Sequence, residues 1–244
     1  MIKTSFKESF RLIGRSKPEC LAYLAVICLS GALEYALPIW TGVDFPVQDA
    51  KPGAAKLAYM LAFTAPGYVF AAWAGAGLVG RISIDALTGA PASMISYANG
   101  WFLRNLKGSV VVVAAVFLPI VLMLLLPMAL AAVIILAWFL FFVWFAIRIS
   151  LWGSIMFIDG LGPFAAMRRS YSVSEGHTLS IALLSVPLFV GMLFEIGSGH
   201  FVTEGLVSEA LLKPLLLGAA TLVQIGALAA AYLAIKKTKV TEPS

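Results

Sequence analysis

The sequence predicts an all-α protein: a polytopic membrane bundle of six transmembrane helices in three hairpins, with amphipathic interfacial helices on the cytoplasmic side. Three observations carry this. The run from Val110 to Ile147 is 38 residues without a charged, amide or hydroxyl side chain. As one helix it would extend about 57 Å at ~1.5 Å per residue, whereas a bilayer core of about 30 Å takes ~20 apolar residues. The run therefore suits two spans, turning around Leu126–Ala129, with Pro127 near its midpoint. Second, the chain is 61% hydrophobic and 12% charged, against roughly 45–50% and 25% in soluble domains. Too little polar surface remains to coat a soluble globule. Third, the basic residues are distributed asymmetrically between alternate loops, as the element order shows.

Residues 1–17 read as an amphipathic helix. Ile2, Phe6, Phe10 and Ile13 recur at helical spacing, with Lys3, Lys7, Arg11 and Arg15 around them. Such a segment lies in the membrane interface, its basic heads toward anionic lipid. The basic region is long for a signal peptide and no compact cleavage site follows it, so the first span is expected to be retained. That span covers 21–40, ended by Pro38 and Trp40. A polar turn-rich loop leads to the second span at 57–80, where Pro66 predicts a kink. Gly67, Ala71 and Gly75, and Ala72, Ala76 and Gly80, form small-residue edges suited to close helix contact.

Residues 81–108 form a polar interlude, with a turn set by Asp85, Gly89 and Pro91 and a short amphipathic helix over 91–106. Spans three and four follow at 109–126 and 129–150, the latter able to continue to Ile158. A second interlude, Asp159 to His177, turns at Gly160, Gly162 and Pro163 before another short helix. Spans five and six cover 178–197 and 210–235, with Gly226, Ala230 and Ala234 on one packing edge. The stretches 2–17, 91–106 and 163–176 each precede two spans, which predicts three repeats of interfacial helix plus hairpin. The whole of 1–244 is expected to form one integral membrane domain.

With six spans, both termini and the loops after spans two and four share a side. All of the 17 basic residues lie there except Lys51, Lys56 and Lys213. The positive-inside rule makes that side cytoplasmic, so the expected location is a bacterial inner membrane. The net charge of +5 then calls for anionic lipid headgroups as partners, not nucleic acid.

The second interlude carries one recognisable pattern, GLGPFAAMRRSYSVSEGH from Gly160 to His177. Its Gly162–Pro163 turn, Ala166, Arg168–Arg169–Ser170, Tyr171 and Gly176 resemble a segment of the membrane-domain family of glycerophosphoryl diester phosphodiesterases. It looks equally like the related, mostly uncharacterised, stand-alone bacterial inner-membrane proteins. RISIDALTGAPAS, from Arg81, is similar to the family's earlier cytoplasmic turn. The resemblance implies a six-helix membrane fold. It does not imply phosphodiesterase activity, which belongs to a separate soluble domain in the two-domain members, and it carries over no site residues.

Candidate site residues come from the cost of charge in a membrane. Glu34, in the outer half of span one, reads as a proton or cation ligand or as a hydrogen-bonded interfacial carboxylate, and Glu195 as a hydrated interfacial group. Gln224 in span six reads as an interhelical hydrogen bond. Arg148 reads as a clamp between span four and a cytoplasmic turn, paired with Asp159, Asp85 or Glu175; ligand binding is the alternative. Arg168 and Arg169 suit lipid phosphate, or serve as inside-positive anchors. His177 and His200 fall on opposite sides of the membrane, and Cys20 and Cys28 stand about 12 Å apart along one helix, beyond disulfide reach. No metal-ligand cluster, Walker-type loop or catalytic triad is legible, so no cofactor is expected. The function expected is a non-enzymatic scaffold or accessory subunit contacting lipids and other membrane subunits. A transporter or channel for a small or amphiphilic solute is the alternative, and a lipid-handling protein comes third.

Overall fold

The computed structural model describes residues 1–41, 54–90, 93–123, 128–197 and 211–241. Those residues are helical throughout their regular structure: α1 (Ile2–Arg15), α2 (Lys17–Thr41), α3 (Ala54–Thr88), α4 (Met94–Met123), α5 (Met128–Ile149), α6 (Trp152–Ile158), α7 (Pro163–Val173), α8 (Thr178–Gly197) and α9 (Lys213–Thr241). Among the described residues, three stretches are long and apolar enough to cross a bilayer: Val69–Thr88, Leu136–Ile158 and Lys213–Thr238. A fourth arises if α1 and the first part of α2, bent by 88° at their junction, count as one. This is compatible with a membrane protein.

The ends of the helices follow from local chemistry. α1 stops at Ser16, whose N–H bonds the carbonyls of Leu12 and Ile13, and Pro18 stands in the first turn of α2, where its missing donor costs nothing. α3 stops at Gly89, which takes φ +70° and returns its N–H to the Asp85 carbonyl at 2.8 Å. That left-handed cap favours glycine. Gly162 in extended conformation precedes Pro163, which opens α7.

Three elements differ from the sequence expectation. α3 does not end near Gly80 but continues two turns through Arg81 and Asp85. Both side chains are buried and ion-paired, so the first charges mark a change of environment rather than a helix end. The amphipathic stretch 91–106 is not a separate helix; it is continuous with the next apolar segment in α4. Gly108 is the weakest helix former at that junction, and one glycine costs about 1 kcal/mol, too little to break a packed helix. The third difference lies in α1. The side chains set into the protein are Ser5, Ser9, Leu12 and Ser16, while Phe10 is 62% exposed. Ile2 and Phe6 pack only at the margin of one core cluster, and Ile13 at that of the other. α1 and α7 thus stand as separate short helices, and the middle member of the expected repeat does not.

α2 ends at Thr41, one residue past the expected end of the first span, and α3 is one helix on both sides of Pro66. α5 ends at Ile149 and a turn at Ser150–Leu151 separates it from α6, so the helix does not continue unbroken to Ile158. Of the turn expected around 126–129, residues 126 and 127 lie outside the described residues and 128 and 129 open α5; the loop 42–53 and residues 198–210 also lie outside the described residues.

Among the described residues, two clusters form the core. One joins α6, α7, α8 and α9 through Leu151, Ile155, Met156, Phe157, Ala166, Ile181, Leu184, Ala227, Ala231, Tyr232 and Ile235. The other joins α1, α2, α3, α4 and α9 through Leu12, Cys20, Tyr23, Ala74, Leu78, Ile82, Met94, Leu222 and Ala229. α9 belongs to both and packs on α1, α2, α3, α6 and α8. Small residues allow this. A Cβ on Gly226 would stand 2.4 Å from Ser9 Oγ, and one on Gly80 would stand 2.7 Å from Phe157 and Tyr97. Elsewhere the helices turn large apolar side chains outward, notably Val133, Leu136, Phe139 and Leu140 of α5 and Leu179, Val190 and Leu193 of α8.

Candidate functional site

Charged residues form three small constructions, each joining segments far apart in the chain.

The first centres on Asp159, just past the end of α6, with its N–H on the Ile155 carbonyl. A carboxylate at a helix C-terminus opposes the backbone dipole, and its side chain is only 8% exposed. Three donors compensate. Arg169 Nε of α7 lies 2.9 Å from one oxygen, Lys236 Nζ of α9 lies 2.7 Å from the other, and the buried Tyr232 hydroxyl donates to the carboxylate. Burial alone would raise the carboxyl's pKa, but the hydrogen bonds from Lys236 and Tyr232 and the charges of Arg169 and Lys236 outweigh it. The net direction is downward from the ordinary 3.8. Asp159 is thereby an anion at neutral pH with a donor on each oxygen. Such a group fastens α6, α7 and α9 together.

The second construction ties α1, α2 and α3. Arg15 Nη2 approaches Asp85 Oδ1 at 2.9 Å and also donates to the Gly89 carbonyl. One turn earlier on α3, Arg81 Nε meets Glu19 Oε1 of α2 at 3.3 Å. Asp85 is 1% and Arg81 3% exposed. Charges so buried are tolerated only when paired, which explains why opposite charges stand on either side of the α1–α2 bend.

The third replaces the pairing expected for Arg148. Its guanidinium stacks 4.3 Å from the centroid of the Tyr171 ring and 5.8 Å from that of Trp144. The carboxylates expected as its partners do not meet it: Asp159 is held by Arg169 and Lys236, Asp85 by Arg15, and Glu175 is exposed with no ion pair to Arg148. A guanidinium on aromatic faces gains a cation–π attraction in place of an ion pair. The main chain of Arg148 is the part clamped. Its carbonyl accepts the hydroxyls of Ser170 at 2.9 Å and Ser174 at 2.8 Å, and Leu151 N–H donates to Ser170 Oγ at 3.2 Å. Ser170 of α7 and Ser174 at its C-terminal cap, one turn apart, therefore satisfy backbone groups freed by the break between α5 and α6.

Of the other residues singled out, Arg168 is exposed and Gln224 is half-buried on α9. The side chains of Glu34 and Glu195, and all of His200, lie outside the described residues. The structure brings Asp159 and Arg169 together. It sets Asp85 in a separate pair and leaves Arg148 with neither. Tyr232, Lys236, Ser170 and Ser174 complete these constructions. Their nearest signals in the sequence were the Arg-Arg-Ser run and the basic end of the last helix. Among the described residues, no three metal-ligating side chains converge. No family model, curated protein or solved structure matches this chain.

Proposed function

We propose that the chain is a non-enzymatic inner-membrane protein, a scaffold or accessory subunit that acts through helix packing and lipid contacts. It crosses the bilayer six times with both termini in the cytoplasm. The observation that carries the subunit reading is α5. It touches only α4, α7 and α8 among its stronger neighbours, and Val133, Leu136, Phe139, Leu140, Phe141 and Trp144 are all exposed on it. An apolar helix so open must be covered by lipid or by another membrane helix.

The topology has its own support. The ion pairs join the N-terminal segment to the end of α3, and the α6–α7 connection to the end of α9. In the six-span order, these are the segments that fall on one side of the bilayer. The resemblance of Gly160–His177 to the membrane domain of the glycerophosphoryl diester phosphodiesterases fits the same six-helix arrangement.

Photo-crosslinking tests the subunit reading. A crosslinking residue at Leu136 or Leu140 is expected to give discrete adducts with one or two membrane proteins in cells, with the same partners retained in mild detergent. Adducts with lipid alone would leave α5 as a lipid-facing helix and refute the accessory-subunit role.

A further inference from the structure

Ion pairing divides the arginines. Arg11, Arg15, Arg81 and Arg169 each meet a carboxylate. Arg148 and Arg168 form no ion pair among the described residues. These two share one aromatic platform. The Tyr171 ring that carries the Arg148 guanidinium at 4.3 Å lies three residues after Arg168 on α7. Residues so spaced on a helix are neighbours, and side chains lean back over the preceding turn, so Tyr171 stands beside both arginines. The platform continues along α5. Tyr171 meets Trp144 edge-on at 5.7 Å, Trp144 meets Phe141 at 6.0 Å and Phe141 meets Trp138 at 5.4 Å. An unbroken line of ring contacts thus leads away from the two cations, and Phe141, Trp144 and Tyr171 are exposed.

We infer that this platform binds an anionic phospholipid, its phosphate held by Arg148 and Arg168 and an acyl chain laid along Trp144 and Phe141. Arg148 stands in the last turn of α5. The helix C-terminus there supplies only about half a negative charge, and Arg148 Nε finds no hydrogen-bond acceptor. A charge at the end of a membrane span calls for a partner. Stacking on a ring uses the face of a guanidinium and leaves N–H groups at its edge to donate, and guanidinium forks match phosphate oxygens. On the six-span topology both arginines lie at the cytoplasmic interface, where anionic headgroups attract them and where tryptophan and tyrosine gather. The exposed rings of Trp144 and Phe141 supply the apolar continuation that a free phosphate would not use. The inference deepens the lipid-contact part of the proposed function. It rests on the membrane embedding but not on the subunit role, so absence of a protein partner leaves it intact.

The test is lipid binding to the purified full-length chain in mild detergent, read by native mass spectrometry and by melting temperature. The probes are phosphatidylglycerol, phosphatidylcholine and inorganic phosphate. Phosphatidylglycerol is expected to bind one-to-one and raise the melting temperature. Phosphatidylcholine, whose quaternary ammonium would face the same arginines, should bind at least tenfold more weakly. Arg148→Gln and Arg168→Gln are each expected to weaken phosphatidylglycerol at least tenfold. Lys7→Gln, an equal loss of charge at an exposed position of α1, should leave binding within twofold. Lipid-free melting temperatures identify any variant that is simply misfolded, and Arg168→Gln, at an exposed position, then carries the test in place of Arg148→Gln. Unchanged binding in Arg168→Gln, or equal loss with Lys7→Gln, would overturn the site. Inorganic phosphate binding as tightly as the lipid would remove the acyl chain from it. A chain that washes off membranes at alkaline pH would overturn the embedding as well, whereas one that stays embedded and shows none of these differences would overturn the lipid site alone.

Discussion

Asp159 illustrates how a single residue can be mistaken when its partners are distant. Its sequence neighbours suggest a turn-forming aspartate with Arg148 as a ready counter-ion. The partners it has are Arg169 on the next helix and, 73 and 77 residues away, Tyr232 and Lys236. Nothing in local periodicity encodes such a pairing; it depends on which helix ends meet. Removing the charge should be measurable. Arg169 and Lys236 are 49% and 39% exposed, so solvent screens much of their attraction. Asp159→Asn is expected to cost about 1–3 kcal/mol at pH 7, below the ~3–5 for breaking a fully buried pair. The pH dependence follows from the lowered pKa. The lock contributes fully above the unfolded value near 3.8 and is lost as pH falls through the still lower folded value. Melting curves in detergent from pH 7 to 3 should show the native protein losing its advantage over Asp159→Asn at the acidic end. A constant difference across that range would mean the lock is not electrostatic.

At the scale of the element, the small-residue edges read from the sequence divide into contacts and bystanders. Gly77, flanked by those edges, would place a Cβ 2.6 Å from the Met94 carbonyl of α4, whereas a Cβ on Gly75 would meet nothing within 4 Å. Alanine is the better helix former by about 1 kcal/mol, so the two positions separate propensity from packing. Gly77→Ala is expected to destabilise by about 1–3 kcal/mol by pushing α4 from α3, and Gly75→Ala to be neutral or slightly stabilising. Equal effects in thermal unfolding would show that the close α3–α4 approach is not what holds these helices together.

The helices themselves were legible because long apolar runs admit few alternatives. Their ends were less so. Polarity after Gly80 suggests a turn from the sequence alone, yet Arg81 and Asp85 continue α3, paired with Glu19 and Arg15. The face of α1 was read from Ile2, Phe6, Phe10 and Ile13, but the seat against α9 is made by Ser5 and Ser9. Two small side chains allow close approach, and Ser9 donates to the Val223 carbonyl at 2.8 Å. Hydropathy counts a serine as solvent-seeking, and a hydroxyl spent on a neighbouring helix's carbonyl defeats that count.

At the scale of the molecule, the ion pairs, both core clusters and the short helices α1, α6 and α7 hold the described helices together, while α5 and α8 expose large apolar side chains along their length. On the proposed topology the ion-paired helix ends form a cytoplasmic layer, and the exposed faces of α5 and α8 are solvated by hydrocarbon.

The most direct test of that arrangement is cysteine labelling in cells, in a Cys20→Ser, Cys28→Ser background. Single cysteines replace Lys3 or Arg168 on the side assigned to the cytoplasm, and Lys51 or Lys213 on the other. A membrane-impermeant maleimide should label positions 51 and 213 in intact spheroplasts, and positions 3 and 168 only after the membrane is permeabilised. Labelling of position 3 or 168 from outside without permeabilisation would contradict the six-span, cytoplasmic-layer account.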